Sequence, residues 1–425
     1  MHSPTTSLPT PPSTPAAPPR VAIVGCGPSG CYTTQALLKR IPDAQVTVFD
    51  ALPTPYGLIR HGIAPDHQGA KAVQKQFDRL FAREHVEFVG NTVIGRDIPL
   101  TALLDSFHAV VFATGLARDR TLGVAEEPGT RVVGAGQLLR LLNSDPDSVL
   151  REDPSGIAAL GDEIALVGTG NVAIDVARLL SKSHSEMAAS DIDDDAHASL
   201  RPSPISSIHV IGRCRADAAK WDPSMLKELS GVESVSLYID GEPYDGEQIS
   251  KSSLTRIDVH FQQIVESVSA LQNRTRLTTH HSENPSHRRH FDVDTIIAAV
   301  GFEEPLDRQA ESADHLRPNV FRVGGSASGR LGNLAENRKL AAAVAADVAE
   351  FLGNTAPLTD RTDLVTPFLP AQRVSFEGWQ KIDAAETLRA SPQRCRTKFT
   401  TRAELLAAAQ LTAPAANSAL TSKDS

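Results

Sequence analysis

Two short runs carry the residue types that handling a nucleotide requires: Gly25-Cys26-Gly27-Pro28-Ser29-Gly30 and Gly168-Thr169-Gly170-Asn171-Val172-Ala173. Glycine at these places lets a chain turn sharply and bring its backbone against a pyrophosphate. The N–H groups and positive dipole end of a following helix then meet the phosphate charge. Asp50 stands twenty residues beyond Gly30, where an acid can accept hydrogen bonds from a ribose hydroxyl. The second run has Gly212-Arg213-Cys214-Arg215 at the matching place instead. An arginine fork there suits a ribose 2′-phosphate, which a carboxylate would repel, so NADP is favoured over NAD. The competing reading is a solvated loop with two surface arginines, Arg213 and Arg215. Two dinucleotides on one chain is the layout the pair implies.

Each run needs a strand before it and a helix after it. Val21 to Val24 is apolar, and Tyr32, Ala36 and Leu37 then recur at helical spacing. Glu163–Val167 and the apolar set Ile174, Ala177, Leu179 and Leu180 repeat that pattern for the second run. Gln45–Phe49 delivers Asp50, and Ser207–Ile211 delivers Arg213. Residues 52–67, rich in Pro and Gly, exclude a helix or a central strand and make a long loop of the functional kind. A helix is expected over 71–84, with strands at Val86–Val89, 92–94 and Ala109–Phe112. The last of these ends in Ala113-Thr114-Gly115, where glycine lets backbone close over a nucleotide.

The second unit interrupts the first and closes at a strand over 295–300, before Gly301-Phe302. A strand at 319–323, a glycine-rich turn at 324–332 and an Ala-rich helix over 335–352 return the chain to the first unit. The acidic stretch 181–204 reads as a surface insertion, and 280–290 as a basic solvated loop. The histidines of the latter, His280, His281, His287 and His290, lack the context of a metal site, and no metal is expected.

At 425 residues the chain can bury two sizeable cores. No run approaches the roughly 18 apolar residues of a membrane helix. A formal net charge of -9 argues against a nucleic-acid surface. Four cysteines in a chain this size make no disulfide framework, and a cytoplasmic, reducing setting is expected. Cys26 and Cys31 have redox-pair spacing, yet the turn itself calls for small residues there. The seven prolines of residues 1–19 make a disordered tail, not a targeting peptide.

With both fingerprints, LPTPYGLIRHGIAPDH at 52–67, GTGNVAIDVARLL at 168–180 and RVSFEGWQKIDAAE at 373–386, residues 20–406 resemble the adrenodoxin reductase type of ferredoxin:NADP reductase. The resemblance implies an α/β fold of two Rossmann-like dinucleotide-binding domains, the NADP domain inserted into the FAD domain. The expected boundaries are 20–117 and 303–372 for FAD, 118–302 for NADP, and 373–425 for a C-terminal extension with a disordered end. It implies that Ser29, Asp50, Leu58 and Ile94 line the adenine and ribityl side of FAD, while Gly332, Asn333 and Leu334 approach the flavin ring and the nicotinamide. Thr169, Gly170, Asn171 and Val172 would cradle the NADP pyrophosphate, with Arg213 on the 2′-phosphate. His67 and Asp175 match polar positions of the electron-transfer region, and Lys227 a basic position facing ferredoxin. Three positions depart from the pattern: Cys214 replaces a second arginine, Met225 a glutamate with Glu228 about one helical turn away, and Gly325 a tryptophan near the flavin.

The implied reaction passes a hydride from NADPH to FAD, then single electrons to an iron–sulfur protein of the ferredoxin or adrenodoxin kind. Cofactors carry such chemistry while the protein positions them. His67 either shuttles a proton or fixes its loop, and Asp175 either joins it or complements a helix dipole. An acidic ferredoxin needs a basic landing site, for which Lys220, Lys227, Arg118 and Arg120 are candidates. Two alternatives stand beside this reading: an NAD(P)H flavoprotein with a quinone, oxygen or organic acceptor, and a non-catalytic electron-transfer subunit that binds FAD.

Overall fold

The computed structural model describes residues 17–116, 118–151, 156–244, 255–304, 317–354 and 362–411. The expected tail falls almost wholly outside these residues, as does the chain beyond 411.

Along the first unit run β1 (Arg20–Val24), β2 (Gln45–Phe49), β3 (Val86–Val89) and β4 (Ala109–Phe112). After them β5 (Arg118–Asp119) leads into the second unit, with β6 (Val132–Gly134), β7 (Glu163–Val167), β8 (Ser207–Ile211), β9 (Val235–Ile239), β10 (Glu242–Pro243) and β11 (Thr255–His260). An antiparallel set follows, β12 (Gln263–Leu271), β13 (Arg274–His281) and β14 (Asn284–Val293). The chain returns through β15 (Thr295–Ala298), β16 (Phe302–Glu303) and β17 (Val320–Arg322). One sheet has the order β17-β4-β1-β2-β3, the other β10-β9-β11-β8-β7-β15-β6. Strand β17 lies parallel to β4, so residues on either side of the second unit complete one sheet.

Both sheets are covered on both faces, which is why their central strands read as unbroken apolar runs. In β1, Val21 and Ile23 enter the core that holds Leu37 and Ala341, while Ala22 and Val24 enter another with Leu103 and Leu104. In β7, Ile164 and Leu166 pack with Ile174 and Leu179, and Ala165 and Val167 meet Leu277 and Phe291. Each fully buried aliphatic side chain of this kind contributes about 1.5–3 kcal/mol relative to exposure.

That last contact corrects the reading of 280–290. The stretch is no loop: β13 and β14 pair antiparallel, Leu277 opposite Phe291 and His280 opposite Arg288, and cover the second sheet. Charge dominated the sequence signal there because most residues of β14 point to solvent. Residues 181–204 are no surface insertion either, since Met187, Ile192, Ala196 and Leu200 join the main core of the second unit. Their acids do structural work: Asp193 caps the helix Asp194–Leu200 through the Ala196 N–H, and Asp191 is buried against lysines.

Smaller corrections concern the first unit. The helix expected over 71–84 is two pieces, Gln68–Lys71 and Gln74–Phe81. Residues 92–94 form no strand beyond an isolated bridge from Ile94 to Ile98. The loop 52–67, expected to be free of helix, holds one turn at Leu58–His61. Tyr56 and Gly57, at φ 80° and 46°, bend the chain into it.

Candidate functional site

Each glycine turn has a closed first position and an open second one, and the first turn adds a closed third at Gly30. A Cβ at Gly25, which sits at φ +107°, would lie 2.5 Å from the Ala113 carbonyl oxygen, and one at Gly30 would lie 2.0 Å from that of Gly25. A Cβ at Gly27 would meet nothing within 4 Å. The second turn repeats this, with Gly168 at φ +127° and 2.3 Å from the Ala299 oxygen, and Gly170 open. The helices that follow, Pro28–Arg40 and Asn171–Ser181, begin with no side-chain cap and no acid in their first turn. Their leading N–H groups and positive ends are therefore unspent, which is what a pyrophosphate needs. The residues fit both coenzymes.

A single cavity of 960 Å³ joins the two units. Gly25, Gly27, Pro28 and Ser29 of the first turn line it, as do Asp50, Leu58, Ile94, Thr114 and Gly115. From the second unit come Asn171, Val172 and Asp175, and from the returning segment Gly325, Gly332, Asn333 and Leu334. Of the remaining expected residues, Gly30 is spent inside the turn, and Gly168, Thr169, Gly170, Arg213 and Arg215 do not line the cavity.

Several of these side chains are already tied. The Asp50 carboxylate accepts from the Cys26 N–H at 2.7 Å and the Leu52 N–H at 2.8 Å, which fixes it at the cavity edge. Ser29 donates to Asn337 Oδ1 at 2.8 Å and so joins the first-turn helix to the helix Leu334–Asn354. Asn333 caps that helix, accepting from the Glu336 N–H at 2.9 Å. Cys26 and Cys31 are buried free thiols 3.8 Å apart; burial pushes the Cys26 thiol up, so it is unreactive packing.

His67 sits between two acids. Its Nδ1 is 3.5 Å from Asp175 and its Nε2 3.3 Å from Glu228; of the two positions on that helix, Met225 lines the cavity and Glu228, outside it, reaches the back of His67. Behind them lies Arg178, fully buried, which binds Asp175 at 2.7 Å, Glu228 at 3.3 Å and Asp66. Burial raises the Asp175 carboxyl above its ordinary range. Burial pushes Asp66 the same way, but Arg178 and Lys182 outweigh it and hold that acid below the range. The sequence reading missed Arg178, although an arginine on the buried face of a helix, three residues after an acid, was a usable sign.

At the expected 2′-phosphate position, Arg213 is exposed and makes no ion pair among the described residues. Arg215 does not double it: it pairs with Asp217 and Glu283, each at 3.7 Å. Cys214 Sγ lies 3.7 Å from Thr169 Oγ1, and a bridge from Gly170 to Lys220 keeps this loop beside the second turn. A Cβ on Gly325 would stand 3.0 Å from Leu116 Cγ and 3.3 Å from Leu331, so a large side chain there requires both leucines to move. Among the proposed docking cations, Lys220 and Lys227 are exposed. Arg118 is paired with Glu303 at 3.2 Å, whereas Arg120, also exposed, donates to the Phe302 and Gly329 carbonyls and keeps its charge.

Residues 19–316 match the family model described as pyridine nucleotide-disulphide oxidoreductase. The chain belongs to the pyridine nucleotide-disulphide oxidoreductase family. Within this family it is 35% identical over 419 residues to cindoxin reductase of Citrobacter braakii, covering 91% of this chain and 90% of that one. It is 31% identical over 462 residues to a probable ferredoxin/ferredoxin–NADP reductase of Mycobacterium bovis, covering 94% and 78%. A solved structure, Mycobacterium tuberculosis FprA in complex with NADPH, superposes with a TM-score of 0.82 at 26% identity, over 92% of this chain and 100% of that one. The resemblance carried by the motifs is borne out, and so is the α/β architecture of two dinucleotide domains.

Proposed function

We propose that this chain is an FAD-dependent ferredoxin:NADP reductase. The chemistry would be supplied by bound FAD, which can accept a hydride from NADPH and release electrons singly to an iron–sulfur protein. The observation that carries the reading is the shared cavity: the first glycine turn and the start of the helix after the second, Asn171, Val172 and Asp175, face one space, so two coenzymes can meet there.

The chain's own residues supply placement. Gly25, Gly27 and Ser29 hold the FAD pyrophosphate end, Asp50 the ribose, and Leu58, Ile94, Thr114 and Gly115 the length of the molecule. Gly168 to Val172 hold the nicotinamide coenzyme, with Arg213 on its 2′-phosphate and Gly325 and Gly332 to Leu334 at the meeting point. Asp175 and Glu228 orient His67 at the cavity wall, where its imidazole is placed to hold or pass a proton. We assign 20–117 and 303–372 to the FAD domain, 118–302 to the NADP domain and 373–425 to an extension. Every described strand of the first sheet lies in the former and every strand of the second in the latter. No helix among the described residues is long and apolar enough to cross a membrane, and the four cysteines are free, which supports a cytoplasmic setting.

The test is reduction of an acidic [2Fe–2S] ferredoxin by NADPH, followed anaerobically in the visible. Catalytic reduction is expected. Bleaching by NADPH that passes electrons to oxygen or a quinone but never to the ferredoxin would favour the other acceptors.

A further inference from the structure

Behind the loop that carries Leu58 and His67 lies a set of buried charges that the reaction above leaves without a role. The side chain of Lys398 is fully enclosed. Its Nζ donates to the Arg60 carbonyl at 3.1 Å, to the Asn143 carbonyl and Oδ1 at 3.2 Å each, and to Asp191 at 2.8 Å. Lys71 reaches the same acceptors, Asn143 Oδ1 at 2.6 Å and Asp191 at 2.7 Å. Arg60 pairs with Glu386 at 2.6 Å, its guanidinium 5.0 Å from the Trp379 ring centroid. These partners come from three places. Arg60 lies in the loop of the first unit and Lys71 just after it, Asn143 and Asp191 belong to the second unit, and Glu386 and Lys398 to the C-terminal extension.

The extension is thereby a strap. At one end the Thr397 N–H donates to the Glu386 carbonyl at 3.1 Å, and the Phe399 N–H to the Glu386 carboxylate at 3.0 Å. At the other, Cys395 N–H donates to Ser190 at 3.1 Å, and Arg394 grips Asp194 at 2.6 Å and the Met187 carbonyl at 2.9 Å. Between them Lys398 touches all three parts. The far side of the same loop, at Leu58, His61, Ile63 and His67, is cavity wall.

We propose that Lys398 is a positioning residue for reduction of the flavin by NADPH, a fully buried side chain that fixes the loop of the first unit against the second and so sets the two coenzyme sites relative to each other. This rests on the two-coenzyme reading. Hydride transfer needs its atoms in near-contact, and a misplacement of about 1 Å is worth roughly 100-fold in rate. Nucleotide affinity, set by the turns, does not depend on that alignment.

The experiment compares wild-type holoprotein with Lys398→Met. Bound FAD per chain should be unchanged. In anaerobic stopped flow the limiting rate of bleaching by NADPH should fall at least roughly tenfold, while the half-saturating NADPH concentration moves less than about threefold. Hydrogen exchange at the amides of 57–63 should quicken by a similar factor, a readout independent of turnover. Bleaching at the wild-type rate, or a loss confined to half-saturation, overturns the proposal. Should Lys398→Met fail to fold, Arg394→Ala loosens the strap from its other end without touching the cavity. A fall of at least about threefold in the limiting rate is then expected, and an unchanged rate overturns the proposal. Wild type that NADPH does not bleach would instead sink the two-coenzyme reading itself.

Discussion

Gly27 and Gly170 offer the cleanest separation of coenzyme handling from folding. Both are first-cap positions in extended backbone, at φ −76° and −96°, which alanine adopts without strain. Neither Cβ would meet a protein atom within 4 Å, and the unfolded-state gain of alanine offsets its poorer helix capping, so Gly27→Ala and Gly170→Ala should leave the coenzyme-free protein within about 1 kcal/mol of wild type. The methyl group instead enters the space over the helix N-terminus that a pyrophosphate would fill. Losing one charge-assisted hydrogen bond costs about 1.5–3 kcal/mol, or roughly 10- to 150-fold in affinity. Titration calorimetry of FAD into deflavinated protein should show that loss for Gly27→Ala alone, and NADPH kinetics should show it for Gly170→Ala alone. Gly30→Ala is the contrast: its Cβ falls 2.0 Å from backbone, so the fold fails before binding can be measured. Equal weakening of both coenzymes by either open-position variant, or no weakening, would refute the assignment of one turn to each.

Arg213→Ala should raise the NADPH KM by roughly 10- to 150-fold, the same 1.5–3 kcal/mol, and leave NADH kinetics nearly unchanged, as comparative steady-state assays would show. Acid should unfold the protein through its buried acids. Burial works to raise Asp191, but Lys398 and Lys71 override it and hold that carboxyl at about 2 against an ordinary 3.8, so its contribution, on the order of 2 kcal/mol, is present above about pH 4 and lost as pH falls toward 2. Glu386 is likewise held low against its burial by Arg60, and a urea midpoint that does not fall between pH 6 and 3 would contradict both. Turnover with a ferredoxin should drop as ionic strength rises past about 0.1 M, while ferricyanide reduction does not, since exposed Lys220 and Lys227 steer only the charged protein. Equal salt response for the two acceptors would remove them as a docking site.

The parts legible in the sequence are those written in contiguous residues. A strand, a glycine turn, a helix and a second strand are neighbours along the chain, so both nucleotide units and the placement of Asp50 could be derived locally, whereas His67 was reached only through the family resemblance. The fate of 181–204 could not, because its acids looked solvated until Lys398, some two hundred residues on, folded against Asp191. Arg178 was half hidden for a related reason: Asp175, three residues before it, was a usable sign, but its other buried partner, Asp66, arrives from another segment. At 280–290 a run of exposed charge concealed a strand, whose apolar signal was confined to Phe291 and Val293. The surroundings of Arg215 were not legible, because its partner Glu283 lies across a hairpin that the charge pattern had assigned to a loop.

The most direct measurement is an anaerobic titration of the freshly purified chain with NADPH, recorded across the flavin absorption bands. One FAD per chain, bleached by about one equivalent of NADPH, is the predicted result. A colourless protein that takes up no flavin on incubation, or a yellow one that NADPH leaves unbleached, would contradict the claim that one cavity brings both coenzymes together.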